Sequence, residues 1–134
     1  MRVYFIFDIK DDFKNIYIGR EEYLFIILKS LYELTSKDID YGYTILRQIT
    51  NYINKEVLDR EIFVKLHREY PYSNKNDIHY YNMLYKNEVS RMRIKRTYIK
   101  VETDRTISSF FGILKKYSTN FFVCEFNKLD YFFV

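Results

Sequence analysis

The chain has 134 residues, a net charge of +4, and a composition that is 48% apolar and 30% charged. This length is typical of one domain, and this mixture is typical of a folded chain rather than a disordered one. No apolar stretch approaches the roughly 20 residues of a membrane-spanning helix, and the single cysteine excludes an internal disulfide framework. We therefore predict one cytoplasmic domain over residues 1–134, without membrane association.

The chain opens with a predicted strand and a polar segment. Residues 3–7 are rich in β-branched and aromatic side chains, which indicates an interior strand. Residues 11–15 predict a polar turn that carries one conspicuous aromatic residue, Phe13. Residues 16–18 predict a short extended piece, which ends at Gly19.

Four helices are predicted next, because apolar residues recur at the helical spacing. Thr35 or Ser36 is the candidate cap of the second helix, and Asn54 is the candidate cap of the third. The predicted ranges are 20–32, 38–53, 56–69 and, for a shorter fourth helix, 73–84.

The last third of the chain predicts more strand than helix. Residues 92–101 alternate as one extended segment, residues 105–117 predict a helix, and residues 121–134 predict a closing hairpin. Strands at both ends with helices between them predict a mixed α/β (α+β) fold. It would have a single sheet of about four or five strands, with both chain termini in strands, packed against several helices.

Residues that commonly carry catalysis or bind metals are few and scattered. His67, His79 and Cys124 are the soft metal ligands, and no two of them are close in sequence. The three glycines are too widely separated to form a phosphate-binding loop. Cys124 lies in the middle of a predicted strand, which is typical of a buried thiol. We therefore predict no enzyme activity, no metal, no cofactor and no small-molecule ligand.

One segment, Arg91 to Lys100, is rich in basic residues. Its residues Arg91, Arg93 and Lys95 would share one face of a strand, where they can contact phosphates. A nucleic-acid-binding module that uses this strand is the alternative function. We favour a solvated edge strand whose charges discourage aggregation, because the net charge is modest and acidic residues flank the segment.

Phe13 and Tyr17 are two aromatic residues, four positions apart, in a polar and turn-like segment. Aromatic anchors beside a helix are typical of protein-binding hot spots. Packing in a satellite of the core explains the same two residues equally well. The pattern leaves both interpretations open.

Two segments of the sequence carry a resemblance to a known family. The first runs Asp11-Asp12-Phe13-Lys14-Asn15-Ile16-Tyr17-Ile18-Gly19-Arg20-Glu21. The second comprises Phe110-Phe111-Gly112-Ile113-Leu114-Lys115-Lys116 and residues 121–127. The first resembles the amino-terminal signature, and the second the last helix and hairpin, of the sporulation inhibitor of replication family, SirA. Residues 35–103 agree with the family in length and helical rhythm more than in identity.

The resemblance implies a non-enzymatic inhibitor of chromosome replication that acts as endospore-forming bacteria enter sporulation. Members of the family bind the N-terminal domain of the replication initiator DnaA, so DnaA is the expected partner, without direct binding of nucleic acid. The family's contact residues fall on Phe13 and Tyr17, and a glutamine of its second helix aligns with Gln48 after a one-residue shift. We add Ile49 and Tyr52 to the predicted contacts because they neighbour Gln48.

Overall fold

The computed structural model describes residues 1–34 and 36–134, so the predicted cap at Thr35 lies outside the described residues. The described part of the chain contains seven strands and five α-helices. The strands are β1 (Arg2–Asp8), β2 (Tyr72–Lys75), β3 (Ile78–Met83), β4 (Glu88–Ile94), β5 (Ile99–Thr103), β6 (Phe121–Glu125) and β7 (Asp130–Phe133). The helices are α1 (Asp11–Tyr17), α2 (Glu21–Tyr32), α3 (Ile39–Ile49), α4 (Lys55–Leu66) and α5 (Ser109–Leu114).

All seven strands form one antiparallel sheet in the order β2-β3-β4-β5-β1-β6-β7. The prediction of four or five strands is therefore wrong. Residues 73–84, predicted as a helix, form most of the hairpin β2–β3. Its turn residues Asn76 and Asp77 have φ values of 53° and 62°, the backbone of a two-residue type I′ turn. Residues 92–101, predicted as one strand, belong to β4 and β5, which a second hairpin turn joins.

The helices follow their predicted ranges more closely than the strands do. The Asn54 side chain accepts a hydrogen bond from the Val57 N–H at 3.2 Å, which confirms the predicted cap of α4. α3 ends at Ile49, before the predicted end at residue 53, because Thr50 adopts an extended backbone conformation. α5 is shorter than predicted, and residues 11–17, predicted as a turn and an extended piece, form the helix α1. No helix in the described ranges is long and apolar enough to cross a membrane.

Helices cover both faces of the sheet, and the strand β1 contributes to the core on each side. One core cluster lies beneath α4 and α5 and includes Tyr4, Ile6, Leu58, Ile62, Met92, Ile94, Ile99, Phe110 and Val123. The other lies beneath α1, α2 and α3 and includes Phe7, Leu24, Phe25, Leu28, Ile49, Phe122, Cys124 and Phe126. The sheet is thus the middle layer of three.

Aromatic stacking fixes α2 on the sheet and accounts for part of the aromatic content. Phe126, in the turn between β6 and β7, stacks on Tyr32 with ring centroids 4.7 Å apart. Phe25 stacks on Tyr131 of β7 with centroids 4.8 Å apart. Offset contacts of this kind contribute about 0.5–1.5 kcal/mol each beyond the area they bury.

Gly19 joins α1 to α2 with a φ of 80°, a conformation that side chains with a Cβ rarely adopt. A Cβ there would meet no atom within 4 Å, so backbone strain alone determines the effect of a substitution. We expect Gly19→Val to lower the free energy of unfolding by about 1–3 kcal/mol in urea denaturation. Gly19→Asn should cost less, since asparagine tolerates this region. A valine variant as stable as the wild type would contradict the argument.

Cys124 is fully buried in β6, and burial raises the pKa of its thiol well above the ordinary value. Because the thiolate is the reactive form, we expect the folded protein to resist Ellman's reagent. Guanidinium unfolding should release one equivalent of reactive thiol, and Cys124→Ala should give no signal in either state. Rapid labelling of the folded wild type would show that the thiol is accessible.

Candidate partner-binding surface

The C-terminal end of β1 ties the start of α1 to the end of α3. Just beyond the strand, Ile9 forms an isolated antiparallel bridge with Thr50. The Lys10 N–H then donates to the carbonyl of Ile49, the last residue of α3, at 2.9 Å. The two helices that carry the predicted contacts are therefore fixed to the same point of the sheet.

Contacts to the other end of the chain hold α1 in place. The Lys14 ammonium donates to the Thr119 carbonyl at 2.6 Å and lies 5.2 Å from the centroid of the Phe133 ring. The Asn120 side chain donates to the Asp11 carboxylate. A helix of seven residues is too short to be stable alone, so these contacts and the packing of its half-buried face maintain it.

Phe13 and Tyr17 lie on one face of α1, since residues four apart in a helix are neighbours. Both side chains are half-buried, and both pack against the core cluster beneath α1, α2 and α3. Within the described part of the chain, the Tyr17 hydroxyl has no hydrogen-bond partner. The rings therefore pack at the edge of the core with part of each side chain exposed, and their role in binding a partner stays a prediction.

Two apolar residues of the same segment, neither of them among the predicted contacts, are exposed. Ile16 is 52% exposed at the end of α1, and Ile18 is 65% exposed in the turn that follows. They flank Tyr17 and extend the apolar surface around it. A helical interpretation of residues 11–17 identifies Ile16, because a residue three positions after Phe13 is its neighbour on the helix surface and extends the same apolar side.

The three predicted contacts from the second helix have different environments. Gln48 is exposed on α3, on the face that also carries the exposed Tyr41, seven residues earlier. Tyr52 is 62% exposed, and its ring centroid lies 5.9 Å from the Arg47 guanidinium. Ile49 is only 4% exposed and packs in the core, so its side chain presents no surface to a partner. We correct the predicted contact set by removing Ile49.

An apolar cleft of about 250 Å³ opens between α2 and α3 on the same side of the sheet. α3 lies close to the segment after α2 at Gly42, where a Cβ would lie 2.5 Å from Leu34 Cδ1. A larger residue at this position would require the Leu34 side chain to move. The cleft is lined chiefly by Phe5, Leu28, Leu31, Tyr32, Leu46 and Tyr98. Its size and lining suit an apolar side chain from another protein.

Acidic groups surround the apolar residues of α1. Burial raises the pKa of Asp8 at the end of β1, where Ser118 donates a hydrogen bond to it. The Gly19 N–H donates to the Glu21 carboxylate at 3.0 Å and lowers the pKa of that group. Asp11 and Asp12 are exposed at the positive end of α1, where negative charge stabilises a helix.

The buried His79 takes part in a structural network beneath α4. Its Nε2–H donates to the Asp59 carboxylate at 2.7 Å, while Nδ1 lies 2.7 Å from the Tyr72 hydroxyl. Both ring nitrogens are thus engaged within the protein. Among the residues that the structure describes, no group of three or more His, Cys, Asp or Glu is placed to hold a metal ion.

The sequence as a whole matches a known family model. The model described as "Sporulation inhibitor of replication protein SirA" matches residues 2–134, including the middle of the chain, where the resemblance in sequence was weakest. A search of the curated proteins finds no match. The family match confirms the resemblance at the two ends. The chain belongs to the SirA family of sporulation inhibitors of replication.

Proposed function

We propose that this protein inhibits the initiation of chromosome replication by binding the N-terminal domain of DnaA. Membership of the SirA family supports the role of a replication inhibitor in sporulation. The contact surface that we propose combines α1 with the exposed residues at the C-terminal end of α3. The observation that carries this proposal is the aromatic pair Phe13 and Tyr17, half-buried on one face of a helix that is fixed beside α3.

Partial burial suits these rings to binding. A ring that packing already holds in place loses little side-chain entropy when a partner covers its exposed edge. The free Tyr17 hydroxyl and the exposed Gln48 amide supply polar groups that give a contact its orientation. Ile16 and Ile18 add apolar area that excludes water from the contact.

The area that a stable complex requires indicates how far the surface extends. A specific interface buries roughly 800 Å² on each partner, more than a helix of seven residues provides. The interface therefore has to reach α3, where Tyr41 and Gln48 are exposed, or the apolar cleft between α2 and α3. Both lie on the same side of the sheet as α1.

Inhibition of this kind follows mass action and involves no chemical turnover. One inhibitor molecule occupies one DnaA N-terminal domain, and the fraction of DnaA that is blocked depends on concentration and affinity. Proteins that need the same surface of DnaA are then excluded for as long as the inhibitor remains bound.

We expect Tyr17→Ala to weaken binding to the DnaA N-terminal domain by about 2 kcal/mol or more, roughly thirtyfold, because it removes a central aromatic anchor. The Phe13→Ala/Tyr17→Ala double variant should lose measurable binding. Calorimetric titration of the wild type should show saturable one-to-one binding, with the DnaA domain from the same organism.

Two controls separate binding from folding. Tyr70→Ala removes a ring that is 99% exposed between α4 and β2, and it should bind as the wild type does. Urea denaturation of each variant should show a cooperative transition, so that lost binding is not lost structure. A cooperatively folded Tyr17→Ala variant with wild-type affinity would remove the aromatic pair from the interface. A folded wild type that releases no heat and does not bind would refute DnaA as the partner.

A further inference from the structure

The basic segment lies in the interior of the sheet. β4 pairs with β3 on one side and with β5 on the other, so the interpretation of this segment as an edge strand is wrong. Charges that protect a sheet from edge-to-edge association are useful on edge strands. The arginines of β4 therefore need a different explanation.

These arginines project from one half of a sheet face, over β2 to β5, that no described helix covers. Along β4, Met92 and Ile94 are buried in the cluster beneath α4 and α5, while Arg91 and Arg93, which alternate with them, point to the other side and are exposed. The helices α1, α2 and α3 cover that other side only over its far half. The core cluster beneath them contains no residue from β2, β3 or β4.

Strand register aligns basic side chains across this open side. Lys75 of β2 lies opposite Ile78 of β3, Ile78 opposite Arg93 of β4, and Arg93 opposite Lys100 of β5. One row perpendicular to the strands thus carries three basic residues, with neighbouring strands about 4.8 Å apart. Two of the three, Arg93 and Lys100, are direct neighbours despite their like charge.

The adjacent row adds an aromatic ring and a charge pair. Tyr80 lies opposite Arg91, and Arg91 lies opposite Glu102. The Arg91 guanidinium donates to the Glu102 carboxylate at 2.7 Å, and this hydrogen bond lowers the pKa of Glu102. The two rows together carry four basic residues, Lys75, Arg91, Arg93 and Lys100, and one carboxylate, Glu102, which also lies 3.9 Å from the Lys100 ammonium, so positive charge is in excess. Tyr80 is half-buried beside the row of basic residues.

We propose that this surface, the basic face formed by Lys75, Tyr80, Arg91, Arg93 and Lys100, binds a single-stranded nucleic acid that runs across the strands. The basic row neutralises phosphates, and bound phosphates in turn offset the repulsion between adjacent Arg93 and Lys100 that the Lys100–Glu102 ion pair only partly relieves. The Tyr80 ring offers a stacking surface to a base. A base can stack on Tyr80 only when it is not already stacked between its neighbours, as it is in a duplex. The surface is therefore expected to bind a single strand more tightly than a duplex.

The proposal is tested by fluorescence anisotropy with labelled oligo(dT) of twenty nucleotides and the full chain. Saturable binding should weaken as salt rises, with a log–log slope of about −2 if three phosphates are contacted. Arg93→Gln/Lys100→Gln should weaken binding at least tenfold, while it leaves the Arg91–Glu102 pair in place. Its affinity for the DnaA N-terminal domain should stay unchanged, which makes the outcome independent of the proposed function.

A matched variant controls for net charge. Arg60→Gln/Arg68→Gln also removes two positive charges, but from exposed positions on α4 and just beyond it, on the opposite side of the sheet. It should bind oligo(dT) within about twofold of the wild type, because these charges contact no phosphate in the proposed mode. Absence of binding, or an equal loss in both variants, would overturn the proposal. Tighter binding of a DNA duplex or of a polyglutamate peptide would also overturn it, in favour of a different partner.

Discussion

The central strand β1 is the element on which the rest of the structure depends. It is buried on both faces: Tyr4 and Ile6 are fully buried on one side, and Phe7 is 7% exposed on the other. Its neighbours β5 and β6 come from the last third of the chain, so the sheet forms only when distant segments meet. Pairing over such long separations is entropically costly, and it makes the two core clusters cooperative. The end of β1 then sets where α1 begins and α3 ends.

The sequence allowed the helices to be predicted better than the sheet, for physical reasons. Apolar residues at helical spacing identify α2, α3 and α4 because each helix buries one continuous stripe. The hairpin β2–β3 lies near the sheet edge and is largely polar, so no period-two pattern distinguishes it. Its turn depends on positive φ at Asn76 and Asp77, which those residue types tolerate but do not impose. α1 escaped prediction because tertiary contacts, rather than helical propensity, stabilise it.

In the candidate site, too, the sequence indicates which residues to consider, while tertiary packing decides how much of each is exposed. The family signature identified Phe13 and Tyr17, but residue spacing alone cannot say how much of each ring is buried. The structure shows that both rings are half-buried, and the same packing that fixes α1 on the sheet holds them in position. Ile49 was chosen for its sequence position beside Gln48. Adjacent residues on a helix point about 100° apart, so the exposure of one says little about its neighbour.

One side of the sheet carries both proposed surfaces, and register explains how they meet. Phe5 of β1, which packs beneath the helices, lies directly opposite Lys100 of β5, which belongs to the basic face. The boundary between the covered and the open half of this side therefore runs between two neighbouring strands. Apolar and aromatic groups dominate the half under α1, α2 and α3, while positive charge dominates the half over β2 to β5. Salt weakens contacts to the positively charged half strongly, and it weakens contacts to the apolar half little. A protein partner and a nucleic acid would thus bind to the same side of this molecule, and the salt dependence of binding would distinguish the two.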